Sequence, residues 1–132
     1  MNFPFLPVPV LEALRAQGSV VHGPDVGMAR FDPLPIVRLH APPSPAFWVL
    51  FWIEYDDPDL AYGFLDSGAG PAELSYLRLS DLASLSALGN SDIVRDSCFQ
   101  PIMRMSAYRR FTQAPGAGLR LIPEVSKPLP ME

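Results

Sequence analysis

The feature that most constrains this chain is a run of aromatic and aliphatic residues, Phe47–Ile53, without a polar break. A strand of that composition is covered on both faces, so we predict that it lies in the middle of a sheet. A second apolar segment, Leu60–Leu65, follows after Asp56-Asp57-Pro58-Asp59. Two such runs separated by turn-forming residues are typical of a hairpin, and Asp-Pro favours the turn. We therefore interpret the acidic residues as the polar crest of a hairpin.

Shorter patterns predict the remaining strands. Ile36–His40 alternates apolar and polar residues, and Glu73–Leu79 does the same after the loop SGAGPA. Ile93–Ile102 is a weaker strand candidate, and Val20-Val21 a brief one. Because consecutive strands usually pair, a meander is the simplest arrangement.

Three segments predict helices. Leu11–Gln17 has leucines on one side and is followed by Gly18, which we expect to end the helix. The clearest helix begins at Ser80, a capping residue, with Asp81 in its first turn and Gly89 to close it. Ser106–Phe111 predicts a last helical turn.

Together these elements predict an α+β fold: a small antiparallel β-meander packed with two or three short helices, with proline-rich extended arms. A chain of 132 residues, 48% of them hydrophobic, is sufficient for one core. We divide it into an N-terminal arm with a short helix and loop (1–35), an α+β core (36–111) and an extended C-terminal tail (112–132). The 16 prolines concentrate near both ends and before Phe47.

The charge distribution argues against nucleic acid as a direct ligand. The net charge is -4, whereas nucleic-acid binding relies on clustered lysine and arginine. Acidic residues predominate between Arg38 and Arg78, and arginines follow from Arg95 onward. These blocks either neutralise each other across the fold, lie on separate solvated faces, or form a polar binding face.

Composition also bears on the compartment and on cofactors. With one cysteine, Cys98, no intramolecular disulfide forms, and we expect a cytoplasmic protein without a secretory signal or membrane span. His22, His40 and Cys98 lack the pairings of a zinc site, and the acidic loop lacks the glycine and glutamate of a calcium loop. We therefore predict no metal and no cofactor, assign no catalytic residue, and expect Cys98 to be a buried, inert thiol.

Three motifs support a family resemblance: RLHAPPSPAFWVLFWIEYDDPDLAYGFLD, ELSYLRLSDLASL, and IVRD followed by Phe99 and Pro101. In order and spacing they resemble the DUF2958-like family of bacterial domains of unknown function, from about Arg38 to Pro101. Ser75, Arg78 and Val94 stand where that family has glycine, serine and often glutamate. The resemblance implies an accessory role on plasmids and integrative elements, near antirestriction and conjugation genes, without an assigned activity.

We expect a non-enzymatic module that binds a host or plasmid-encoded protein, as an anti-restriction or anti-CRISPR factor, and self-association through the proline-rich arms is a further option. The candidate partner-binding residues are Asp56, Asp57, Asp59, Glu73, Tyr76, Arg95 and Asp96. Arg95 has a structural interpretation too, as the ion-pair partner of Glu73. The rival hypotheses are a structural subunit of a larger assembly and a small enzyme that uses Glu73, Asp96 and His40 as acid, base and orienting group.

Overall fold

The computed structural model describes residues 3–22, 31–68, 70–87 and 92–113. Within these ranges one antiparallel sheet has the strand order β4-β3-β2-β1-β5. Its strands are β1 Val37–His40, β2 Phe47–Glu54, β3 Asp57–Asp66, β4 Glu73–Arg78 and β5 Val94–Arg95. The helices are α1 Val8–Val21, α2 Leu79–Ala87 and α3 Met105–Gln113. The predicted α+β class and meander are confirmed, with β5 added beside β1.

The central hairpin is tighter than its sequence indicated. Glu54 pairs with Asp57, so only Tyr55 and Asp56 form the turn. Asp57 and Asp59 lie inside β3, and the interpretation of these two residues as part of the crest was wrong. The predicted strand at Ile93–Ile102 shrinks to the two residues of β5, and Val20-Val21 belongs to α1.

Strand β2 carries one residue more than β3 near its midpoint. Leu50 lies opposite Gly63, whereas Trp52 lies opposite Tyr62, so Phe51 has no partner across the ladder. A bulge of this kind reverses the inside-outside alternation of the residues beyond it. Trp52 and the residues after it are therefore turned to the face opposite the one that a regular strand would give them.

Each face of the sheet has its own hydrophobic core. The first core joins β1 and β2 to α2 and to the N-terminal residues, and it includes Phe5, Leu39, Leu50, Ile53 and Leu79. The second core joins β2 and β3 to α3, and it includes Phe47, Phe51, Trp52, Phe64 and Tyr108. This arrangement explains why β2 is buried along nearly its whole length.

Helix α1 covers the half of β2 that β1 does not reach. Pairing between β1 and β2 extends only to Val37 opposite Leu50, and beyond it the Gln17 side-chain amide donates to the carbonyl of Phe51. Leu14 of α1 belongs to the first core and Val21 to the second. The helix thus lies along an edge of β2 and contributes to both cores.

Gly18 permits this close approach. A Cβ atom at Gly18 would lie 1.8 Å from the carbonyl oxygen of Ile53, well inside van der Waals contact. We expected Gly18 to end a helix at Gln17, but α1 continues to Val21 and begins at Val8, with Pro7 as its N-cap. The glycine is therefore a packing residue within the helix, not a terminator.

Helices α2 and α3 begin with the same capping arrangement. The carboxylate of Asp59 accepts hydrogen bonds from the Ser80 backbone N–H (2.8 Å) and hydroxyl (2.7 Å). The carboxylate of Asp32 accepts the equivalent bonds from Ser106, at 2.7 and 2.8 Å. Each aspartate satisfies an orphan N–H of a helix from a distant segment, so Ser80 is the donor to the cap, not the cap that its sequence suggested.

We predict that Gly18→Ala destabilises the protein by about 3 kcal/mol, because the methyl group has no space against the β2 backbone. Helix propensity alone would favour alanine by about 1 kcal/mol, so the two explanations have opposite signs. Urea unfolding measures the difference. The matched control is Gly70→Ala, where no atom lies within 4 Å of the added Cβ. A stabilised Gly18→Ala variant would contradict the close packing of α1.

We also predict that Asp32→Ala lowers the free energy of unfolding by about 1 kcal/mol through loss of the α3 cap. Asp59→Ala should cost at least as much, because Asp59 also lies 3.7 Å from Arg78. Thermal or urea unfolding measures both. Asp56→Ala, in the exposed turn, is the control and should change stability little. Equal effects at all three positions would show that the caps contribute nothing specific.

Candidate functional site

A nearly buried carboxylate, Glu54, is the centre of the most organised polar cluster in the described residues. Its side chain receives hydrogen bonds from the Trp52 indole N–H and the Tyr76 hydroxyl, each at 2.9 Å and both to Oε2. The other oxygen, Oε1, lies 2.8 Å from Nε2 of His22. Glu54 is only 9% exposed, so its charge depends on these three partners.

Each partner reaches Glu54 from a different element. Trp52 is two residues earlier on β2, on the face to which the bulge turns both side chains. Tyr76 comes from β4, and His22 follows the end of α1. The site therefore requires the hairpin, the outer strand and the first helix together.

Aromatic rings form a row across three strands beside the carboxylate. The Trp52 and Tyr62 rings are stacked with centroids 4.6 Å apart, and Tyr76 meets Tyr62 edge to face at 4.9 Å. Phe31 also packs against Trp52, in a tilted arrangement with ring centroids 5.7 Å apart. Such contacts hold the rings in fixed orientations, which keeps the two donors directed at Glu54.

The hydrogen bonds decide the ionisation of Glu54. Burial, the largest single influence, would raise its pKa, but the bonds from Trp52, Tyr76 and His22 outweigh it and hold the pKa below its ordinary value. Burial and the bond to Glu54 raise the pKa of Tyr76 to about 12. At neutral pH the pair is a carboxylate and a neutral phenol donor.

The chemistry available to this cluster is limited but definite. An ionised glutamate with a lowered pKa is a poor proton donor, whereas it orients the imidazole of His22, whose side chain is 44% exposed. A histidine held this way is suited to accept a proton through its other nitrogen. Among the described residues no group of three or more His, Cys, Asp or Glu side chains is placed to hold a metal ion.

A second polar cluster lies at the opposite edge of the sheet, at β1 and β5. Nη1 of Arg38 is 3.5 Å from Oδ2 of Asp96, and the guanidinium sits 4.3 Å from the centroid of the Phe47 ring. The other oxygen of Asp96 accepts the Cys98 backbone N–H at 3.0 Å. These contacts fix the segment after β5 to β1. Cys98 itself is exposed in a turn, so the expectation of a buried thiol was wrong.

The structure divides the seven predicted site residues among separate places. Asp57 and Asp59 face Arg78, whose Nη1 is 3.0 Å from Asp57 Oδ2 and 3.7 Å from Asp59 Oδ2. Asp56 is exposed in the hairpin turn. Only one predicted residue, Tyr76, belongs to the Glu54 cluster.

Glu73 and Arg95 lie on opposite edges of the sheet. Glu73 begins β4 and Arg95 ends β5, the two outer strands, and both side chains are exposed. The predicted ion pair between them does not form. The hypothetical enzyme site fails for the same reason, because Asp96 and His40 lie at the β1-β5 side, far from Glu73.

Sequence reasoning missed Glu54, His22 and the role of Trp52. Glu54 follows the apolar strand directly and His22 lies in a segment interpreted as a loop, so neither stands in a motif typical of a catalytic or metal site. The one available signal was that Glu54 is a charged residue at the end of a strand predicted to be buried. Its partners are 22 and 32 residues distant in sequence for Tyr76 and His22, which no local pattern indicates.

None of the described helices is both long and apolar enough to cross a bilayer. The DUF2958 family, described as proteins of unknown function, matches residues 7–118, and the chain belongs to this family. The match extends further at both ends than the Arg38 to Pro101 that the motifs indicated, and it includes α1 and His22. No curated protein and no solved structure matches the sequence.

We predict that Glu54→Gln reduces the pH dependence of stability in the acid range. Because the folded-state pKa of Glu54 lies below its ordinary value of 4.5, the carboxylate contributes stability above pH 4.5 that is lost as the pH falls through the folded-state pKa. At neutral pH the variant should lose about 1–3 kcal/mol. Urea unfolding across the acid range measures both effects.

The matched control is Glu73→Gln, which removes the same charge at an exposed position. The Glu73 side chain makes no hydrogen bond within the described residues, so none is lost. It should leave stability at neutral pH close to that of the wild type. A Glu54→Gln variant with wild-type stability and an unchanged acid slope would contradict the role assigned to the cluster.

Proposed function

We propose that this member of the DUF2958 family is a non-enzymatic module that binds a protein partner along its outer strand β4. The observation that carries the proposal is the edge itself. Strand β4 is six residues long, pairs with β3 on one side and, within the described residues, has no strand on the other. Glu73 and Tyr76 are exposed on it.

Such an edge is suited to bind an extended segment. Within the described ranges its backbone N–H and C=O groups have no ladder partners on the outer side, and a partner strand would supply them while side chains give specificity. The opposite edge, β5, offers only two residues, which is too short for the same mode. The rigid aromatic row behind Tyr76 keeps that ring in place on the binding edge.

The ion pairs within the protein limit further which acidic residues are free to contact a partner. Arg78 neutralises Asp57 and Asp59, and Asp59 also caps α2, so these two carboxylates are largely engaged within the protein. Glu73 has no ion pair among the described residues. Among the acidic residues predicted to bind a partner, Glu73 is thus the one that lies on β4.

The biological setting that we propose is the bacterial cytoplasm, in an accessory role on a mobile element that blunts restriction or CRISPR defence. The family resemblance and the net charge of -4 support it, because acidic proteins can occupy basic nucleic-acid grooves of such enzymes. Arg95 and Asp96 would then lie outside the contact surface. Self-association through the N-terminal arm is less favoured, because Phe3, Phe5 and Leu6 are buried in the first core.

The test is affinity capture of the tagged protein from a bacterial lysate with a matched pair of charge reversals. Glu73→Lys changes an exposed charge on β4, and Arg95→Glu does so on β5 at the other edge. We expect a specific partner to be lost with Glu73→Lys and retained with Arg95→Glu. Retention with Glu73→Lys, or recovery of the bait alone, would overturn the proposal. Reversal of Asp59 is unsuitable, because it would also remove the α2 cap.

A second candidate function is supported by the 2.8 Å contact between His22 and Glu54. The pair has the form of a carboxylate-oriented general base, and Tyr76, which donates its one O–H to the same carboxylate, helps to hold Glu54 in place. This revives the carboxylate-histidine enzyme hypothesis with different residues. His22 would then act on a substrate directly through its other ring nitrogen, and β4 would serve to position Tyr76 against Glu54.

Hydrolysis of activated esters and phosphate esters tests this alternative. A His22→Gln variant should lose the activity while keeping its unfolding midpoint close to that of the wild type, because the His22 side chain is 44% exposed and a glutamine amide can still donate to Glu54. His40→Gln is the control, since His40 lies in β1, away from Glu54. Absence of turnover in the wild type, or equal turnover in both variants, would eliminate the assignment of His22 as a base for these substrates.

A further inference from the structure

A hollow of about 200 Å³ lies beside the first residue of β4. Trp48 of β2, Leu65 of β3 and Glu73 of β4 line it, and they occupy neighbouring register positions across the three strands. Its other lining residues, which lie just before β2, at the end of β3 and in the loop after β3, are Ala46, Asp66, Ser67 and Pro71. The hollow thus combines an indole and aliphatic groups with the carboxylate of Glu73, whereas Asp66 pairs with Phe47 and by alternation points to the opposite face.

The two carboxylates differ in their engagement. Asp66 is buried, and its Oδ1 accepts the Gly68 backbone N–H at 2.6 Å, which fixes the turn where Gly68 adopts a positive φ of 84°. Glu73 is exposed and has neither hydrogen bond nor ion pair among the described residues. Arg78, five residues further along β4, points to the opposite face and is paired with Asp57.

These groups select one kind of ligand. An anion is repelled by the Glu73 carboxylate, and an apolar side chain would desolvate Glu73 without replacing its hydration. A divalent cation requires more oxygen ligands, and the described residues contain no metal-binding group here. A guanidinium satisfies the site, because its planar face packs on an indole while its N–H groups pair with a carboxylate.

We propose that this hollow binds an arginine side chain of a protein partner, with the guanidinium against Trp48 and paired with Glu73. The inference rests on the proposed function, since it names the chemistry of the partner at the end of the β4 edge. A strand added along β4 carries its side chains alternately to the two faces of the sheet. An arginine on the face of Trp48 would enter the hollow as the strand pairs.

The test uses three short blocked peptides with the sequence Gly-Xaa-Gly, where Xaa is arginine, lysine or citrulline. Citrulline keeps the shape of arginine and removes its charge. Two-dimensional NMR of the labelled protein follows the Trp48 indole N–H and the backbone amides of Leu65 and Glu73. We expect saturable shifts with the arginine peptide, weaker ones with lysine and none with citrulline.

Glu73→Gln should weaken the binding of the arginine peptide by about two- to fivefold, as is usual for an exposed ion pair. Arg95→Gln, on the opposite edge, should leave its affinity unchanged. No shift at Trp48, equal shifts with citrulline, or no effect of Glu73→Gln would overturn the proposal.

The peptide titration tests the arginine-binding hollow, and the capture experiment tests the binding module, so each proposal can be rejected without the other. Arginine-dependent shifts without a captured partner would leave the hollow assigned and the proposed binding module refuted. A partner that is lost with Glu73→Lys, together with no peptide shifts, would retain the module and reject arginine as the group that it recognises.

Discussion

In the part of the chain that the structure describes, the second half of β2 has a strand on one side only, and the fold depends on how its other edge is covered. Strand β1 stops pairing at Leu50, which would leave backbone groups of the most buried strand without partners. Helix α1 solves this by lying against that edge, where Gln17 bonds to the Phe51 carbonyl and Gly18 admits the backbone of Ile53. The same docking places Leu14 in one core and Val21 in the other, and carries His22 to Glu54. The packing of α1 against β2 therefore also completes the polar cluster around Glu54.

Much of the fold was predictable because its signals are local. The composition of Phe47–Ile53 identified the central strand, alternation identified β1 and β4, and the pattern after Ser80 identified α2. The errors have physical causes. Gly18 carries the same local signal whether it ends a helix or allows close packing, and only the position of β2 distinguishes the two. Likewise, Asp59 caps α2 from 21 residues away, and its sequence neighbours give no sign of that contact. The acidic segment therefore has the composition of a solvated turn.

The candidate site was harder to predict than the fold. Tyr76 was among the predicted partner-binding residues, but its contact with Glu54 was not predicted, because the orientation of Glu54 depends on the bulge at Phe51. In a regular strand Glu54 would face the first core instead of Tyr76. A single unpaired residue in an unbroken apolar run leaves no trace in composition or periodicity. The separation of Glu73 from Arg95 depends on the position of β5 beside β1. A strand of two residues has too little sequence pattern to predict that position.

The cap on α3 also constrains the order in which the chain can acquire its structure. Asp32 and Ser106 are 74 residues apart, so this helix obtains its N-terminal hydrogen bonds only after a long loop has closed. Closing such a loop costs entropy that local helix formation does not recover, because a nine-residue helix is marginal in isolation. The N-terminal hydrogen bonds of α3 therefore require that the segment before β1, which carries Asp32, already lies beside the helix. The second core, which takes Tyr108 from α3, thus depends on a contact between segments that are far apart in the sequence.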